Sequence, residues 1–135
     1  MISALIVEDN GASRESLKQI LFGGYRHVRV EEAATGKQAL QAVEKSVPDV
    51  IFINIRLPDI NGIELVRRLR RQSSRVIIII LSDDDAPEYR DVSLSSGADY
   101  FISPWSSSPE EIDSLLQTVF FRARAMANER HTHSR

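Results

Sequence analysis

Two adjacent carboxylates, Glu8 and Asp9, follow the apolar run "ALIV", and they pose the first chemical question. Acids crowded at the mouth of a buried strand repel one another unless a cation intervenes. Hard divalent ions such as Mg2+ take oxygen ligands of this kind, commonly one or two carboxylates with water and a phosphate. Three other apolar runs also end in polar side chains: "VIFI" in Asn54, "VIIIIL" in Ser82 and "DYFI" in Ser103-Pro104. The plainer reading of Glu8 and Asp9 is that they favour the start of the following helix, a task that Asn10 or Ser13 could perform instead.

Positioning these groups requires buried strands. The apolar runs predict strands near residues 4–7, 50–53, 76–81 and 99–103, and the more alternating 27–34 predicts one nearer an edge. "VIIIIL" has no polar face at all, so it needs cover on both sides. Between the strands lie helical patterns. Leu17, Ile20 and Leu21 share a face, and Gly23-Gly24 ends that helix. Ala39, Leu40 and Val43 mark a second helix capped by Thr35, and Ile63, Val66 and Leu69 mark a third after Asn61-Gly62. A fourth is expected over 87–96, capped by Asp85 with Glu88 completing the box. The last helix follows Pro109, with Ile112, Leu115, Leu116, Val119, Phe120 and Ala123 at helical spacing. Strict alternation of strand and helix implies an α/β fold, a parallel sheet covered on both faces with its functional groups at the carboxyl ends of the strands. One domain over 1–125 is expected, with 126–135 a polar tail or linker start.

The chain has 135 residues, 42% of them hydrophobic and 27% charged, which suits a single domain with its own core. No apolar run is long enough to span a bilayer, and "MISALIVEDN" lacks the basic start of a signal peptide. Absence of cysteine excludes disulfides and thiolate chemistry and agrees with a cytoplasmic setting. With 17 basic and 19 acidic side chains the net charge is −2, so nucleic acid has no bulk electrostatic attraction to this domain.

"LIVEDN", "FINIRLPDINGIELVRRLR", "IIIILS" and "SGADYFISPW" together resemble the signature blocks of receiver domains of two-component response regulators. The resemblance runs over almost the whole chain and implies a flavodoxin-like (βα)5 doubly wound parallel sheet, strand order 2-1-3-4-5. It implies a domain that is not an enzyme but accepts a phosphoryl group from a sensor kinase on a strand-three aspartate, with Mg2+ nearby. Residue by residue, it assigns Glu8 and Asp9 to the metal-holding acids and Arg56 to the position whose backbone carbonyl is a metal ligand. Ser82 falls on the hydroxyl that bonds the phosphoryl oxygen, and Tyr100 on the switch aromatic. Asn54 falls on the phosphoacceptor, where the family has aspartate. Ser103 stands at the family's lysine, with one residue fewer after Gly97; a gapless alignment would instead put Pro104 at the lysine and Phe101 at the aromatic. Neither register supplies an ammonium group. The resemblance also implies a cis bond between Ser103 and Pro104.

The expectation is therefore a pseudo-receiver of a phosphorelay: a module that is not phosphorylated and acts by protein–protein contact. Mg2+ binding would be weakened and is not required. Partners would be a sensor kinase or a downstream signalling protein, with a homodimer through helix four, strand five and helix five as a further option. The alternative is an ordinary receiver carrying an inactivating Asp-to-Asn change at 54, and the remote alternative is a flavin carrier or small enzyme. For a flavin phosphate the loop "EDNGAS" opens on two repelling acids. Two further residues have bland readings. Asp83 belongs to the acidic run Asp83-Asp84-Asp85 before helix four, and Arg67, Arg68, Arg70 and Arg71 form a solvated face of helix three.

Overall fold

The computed structural model describes residues 1–23, 27–83 and 87–133. Along the chain come β1 (Ile2–Val7), α1 (Gly11–Phe22), β2 (Val28–Ala33), α2 (Gly36–Lys45) and β3 (Val50–Asn54). Then follow α3 (Gly62–Gln72), β4 (Ile77–Leu81), α4 (Pro87–Ser95), β5 (Tyr100–Ile102) and α5 (Pro109–His133). The five strands are parallel and ordered β2-β1-β3-β4-β5, the flavodoxin-like order.

A strand turns its side chains to opposite faces with a period of two, and here both faces are buried. Ile2, Ala4 and Ile6 of β1 join Val50 and Phe52 of β3 and Ile77, Ile79 and Leu81 of β4 on the side covered by α1 and α5. Leu5, Val7, Ile51, Ile53, Ile78 and Ile80 point the other way, toward α2 and α3. Phe22 of α1 meets Phe52 edge-on at 5.5 Å and stacks with Phe120 of α5 at 6.3 Å, which ties the first cover layer to the sheet. β2 lies at the edge and exposes alternate residues, as its mixed sequence predicts.

Polar groups fasten the amino-terminal edge of the sheet. Asp49 accepts from the Ser3 N–H at 2.9 Å, and Asp99 accepts from the Ile78 N–H at 2.8 Å. Arg70 corrects the sequence reading of helix three. Its guanidinium is folded in rather than solvated, donating to the Val76 carbonyl at 2.7 Å, the Gly97 carbonyl at 2.7 Å and Asp99 at 2.9 Å. Gly97 has a φ of 121°, a left-handed conformation that only glycine adopts easily.

The helix starts follow the expected chemistry where they are described. Asn10 caps α1 by accepting from Ser13, Thr35 caps α2 through Gln38, and Asn61 caps α3 through Ile63. Gly23 closes α1, whereas Gly24, Asp84 and the expected cap Asp85 lie outside the described residues.

Two further expectations fail. No peptide bond among the described residues is cis, so Ser103–Pro104 is trans; the Ser103 carbonyl instead accepts from the N–H groups of Ser106 and Ser107 in a tight turn. And α5 does not end near Ala125 but runs on as helix to His133. Ala125, Met126 and Ala127 are strong helix formers, Met126 packs on the core, and Glu129 pairs with Arg75 at 2.9 Å.

Arg70→Ala should lower stability by about 2–3 kcal/mol, since several carbonyls and Asp99 lose their donor at once. Arg67→Ala, which removes only an exposed pair with Glu64, should stay within about 0.5 kcal/mol of the native chain. Urea denaturation of the two variants side by side separates the bound arginine from the solvated one.

Candidate functional site

Register decides what meets at the carboxyl edge. Ile6 pairs with Phe52 and Val7 with Ile53, so Glu8 and Asn54 are the next residues to come alongside. The two-residue period also gives them the face of Ile6 and Phe52. The Asn54 amide Nδ2 donates to Glu8 Oε2, and Asn54 Oδ1 accepts from the Arg56 N–H at 3.0 Å. Glu8 is only 4% exposed, whereas Asp9 beside it is exposed. Because Asn10 caps α1, neither acid is consumed by that task.

The turn after β3 leaves no slack. A Cβ on Gly62 would sit 2.7 Å from the Ile55 Cα and 2.8 Å from the Asn54 carbonyl, so glycine is what lets α3 start so close to the strand end. The Gly62 N–H donates to the Ile55 carbonyl at 2.9 Å, and the Ile55 N–H donates to Leu81 at 3.0 Å. Asp59 reaches across to α2 and accepts from the N–H groups of Gly36 at 2.9 Å and Lys37 at 3.0 Å. These two donors at a helix start hold the Asp59 carboxyl below the usual aspartate range.

Arg56 is exposed, and its backbone N–H is the part engaged at the site. The guanidinium that comes to the acidic end of β1 belongs to Arg14. It donates to the Glu8 carbonyl oxygen at 2.8 Å and pairs with Glu32 of β2 at 2.7 Å. Arg14 was not legible from composition; it lies four residues after the Asn10 cap, one turn into α1, where a long side chain can reach back over the strand mouth. Burial pushes the Glu8 carboxyl up; the Asn54 amide opposes that push, Asp9 adds to it, and Arg14 opposes it.

Glu8, Asn54, Ser82, Asp83, Pro104 and Trp105 are among the residues that line a pocket of about 70 Å³. Ser82 is buried and its N–H donates to Ile102 at 3.1 Å. Asp83 lines the same pocket, beyond its part in the acidic run. Trp105 is 50% exposed at the pocket wall. Leu81 pairs with Ile102, which places Ser103 beside Ser82 at the strand ends, yet Ser103 does not line the pocket. Its hydroxyl is buried and makes no hydrogen bond. Tyr100 lies on the α5 side, where Arg122 donates to its hydroxyl at 3.0 Å and stacks on its ring; Phe101 is buried on the other side under Arg90. The structure thus gathers Glu8, Asn54 and Ser82 around one pocket, and holds Ser103, Tyr100 and Phe101 outside it.

The model of the response regulator receiver domain family matches residues 4–117. The chain is 33% identical over 122 residues to response regulator MprA of Mycolicibacterium vanbaalenii, covering 90% of this chain and 51% of that protein. It spans about half the length of the curated relatives it matches. In structure it is similar to the Francisella response regulator 1452 receiver domain, with a TM-score of 0.78 and 27% identity over 93% of this chain and 99% of that one. Chemotaxis protein CheY4 of Vibrio cholerae aligns with a TM-score of 0.77 and 29% identity over 88% of this chain and 98% of that one.

Asp59→Asn should cost at most about 0.3–1 kcal/mol at neutral pH by removing the charge from the start of α2. Because folding lowers the Asp59 pKa, the carboxylate's contribution is complete above the unfolded aspartate's pKa and is lost as pH falls through the folded one. Urea midpoints measured at neutral and progressively acid pH should therefore show the two proteins converging in acid.

Proposed function

The chain belongs to the response regulator receiver domain family, and from that premise we propose a two-component signalling module that works by protein contact without aspartyl phosphorylation. The observation that carries this reading is Asn54. An acyl phosphate forms when a carboxylate oxygen attacks phosphorus in line, and the carboxamide has no such oxygen to give. Its Oδ1 is in any case held by the Arg56 N–H.

Three further features support the reading. Ser103 brings no ammonium group to neutralise a transferred phosphoryl group, a large electrostatic loss. Asp83 lines the pocket, and a carboxylate there would repel an incoming phosphate. The metal site is the third. Receiver domains typically bind Mg2+ at the phosphorylation site, but here position 54 brings no charge to join Glu8 and Asp9, and Asn54 turns an amide donor toward Glu8. That donor set does not fit the ion, so we read Mg2+ binding as weakened and not required. The Arg56 carbonyl and the Ser82 hydroxyl keep their family positions in this reading, and Tyr100 keeps that of the switch aromatic, held by Arg122.

Receiver domains are signalling modules rather than enzymes, and we assign this one no catalysis of its own. Its partners would be a sensor kinase or a downstream protein in the cytoplasm, met through α4, β5 and α5, with a homodimer through the same face as the related option. Tyr89, Val92 and Leu94 leave partly exposed apolar surface on α4 for such a contact. No helix among the described residues is long and apolar enough to cross a membrane.

Incubation with acetyl phosphate and Mg2+, followed by intact-mass measurement, tests the proposal. The native chain should stay unmodified, and a hydroxylamine-labile adduct would sink the reading. Asn54→Asp should regain the adduct at a rate at least about 100-fold below that of a receiver with its lysine, because the ammonium group is still missing.

A further inference from the structure

We infer that the Asn54 amide takes over the tie that a divalent cation would make between β1 and β3, so that this chain's strand mouth is assembled without Mg2+ and excludes it. The orientation of the amide is set by its neighbours. The Arg56 N–H can donate only to oxygen, and it lies 3.0 Å from Asn54 Oδ1. Nδ2 is therefore the end that meets the Glu8 carboxylate.

An ion placed between Glu8, Asp9 and position 54 would face the hydrogens of that amide. Turning the amide to present oxygen would set its nitrogen against the Arg56 N–H and take from the buried carboxylate its side-chain donor, losing two hydrogen bonds at once. Mg2+ is a demanding guest: it needs near-octahedral oxygen ligands and sheds water reluctantly. The chain offers it little in return. Among the described residues no group of three acidic, histidine or cysteine side chains could hold a metal ion. Arg14 adds a guanidinium at the Glu8 carbonyl, so the local field already contains a cation of the protein's own. The Asn54 amide and the Asn10 N–H hydrogen-bond the Glu8 carboxylate, and the guanidinium adds its charge, so Glu8 is satisfied from within.

The experiment uses Trp105, the chain's one tryptophan, which lines the pocket with Glu8 and Asn54. Its emission is followed while MgCl2 is titrated at constant ionic strength into the native chain and into Asn54→Asp. Thermal melting in EDTA and in MgCl2 gives a second reading independent of fluorescence. The native chain should show no saturable change in emission and the same melting temperature in both media. Asn54→Asp should melt lower in EDTA, recover with Mg2+ and bind the ion at least about tenfold more tightly than the native chain. Any saturable native response overturns the inference, and so does the absence of any response from either protein. Acetyl phosphate is not used, so the two readings fail separately. A native chain that binds Mg2+ yet stays unphosphorylated would remove this inference and leave the proposed function standing.

Discussion

The ladder between β1 and β3 brings residue 8 against residue 54 whatever those residues are, because Ile6 faces Phe52 and Val7 faces Ile53. Two carboxylates in that place would need a counter-ion, and one carboxylate with one amide does not. The hydrogen bond from Asn54 to Glu8 is thus a local solution to a constraint imposed by strand pairing. The amide oxygen is left to accept from the Arg56 N–H. Gly62 must stay small for a separate reason, the backbone of Asn54 and Ile55 that α3 starts against.

The two edges of the sheet divide their polar work. At the amino-terminal edge, Asp49, Asp99 and Arg70 spend their hydrogen bonds on backbone groups and hold the architecture. At the carboxyl edge the polar side chains face a small pocket. Between them the inner strands β3 and β4 carry an apolar core buried on both faces. A change such as aspartate to asparagine at one edge therefore leaves the core and the opposite edge untouched.

Much of this was legible in the sequence, for reasons that differ by element. The run Val76–Leu81 could only be a buried strand, and β2 announced its edge by alternation. Asn54 and Ser82 were found because they terminate apolar runs. What stayed hidden depended on long side chains crossing sequence distance. Arg70 binds Gly97 and Asp99 from another helix, Arg14 reaches back over β1, and Asp59 caps a helix that precedes it in the chain. Periodicity sees an arginine on a helix as a polar position and is blind to where its guanidinium lands. The end of α5 was missed for a different cause: polarity after Ala125 suggested a tail, whereas Ala125, Met126 and Ala127 favour helix whether or not they are covered.

The 25 residues of α5 make a rod of roughly 37 Å at about 1.5 Å per residue. Arg122 clamps it to Asp99 and Tyr100 partway along, and the exposed Arg75–Glu129 pair is a weak second hold. Apolar contact continues past the clamp, because Ala123 is buried and Met126 packs on the core. The seven residues after Met126 add about 10 Å of helix beyond that contact. Salt that screens the exposed Arg75–Glu129 pair therefore acts on the end of the rod and leaves its root in the core unchanged.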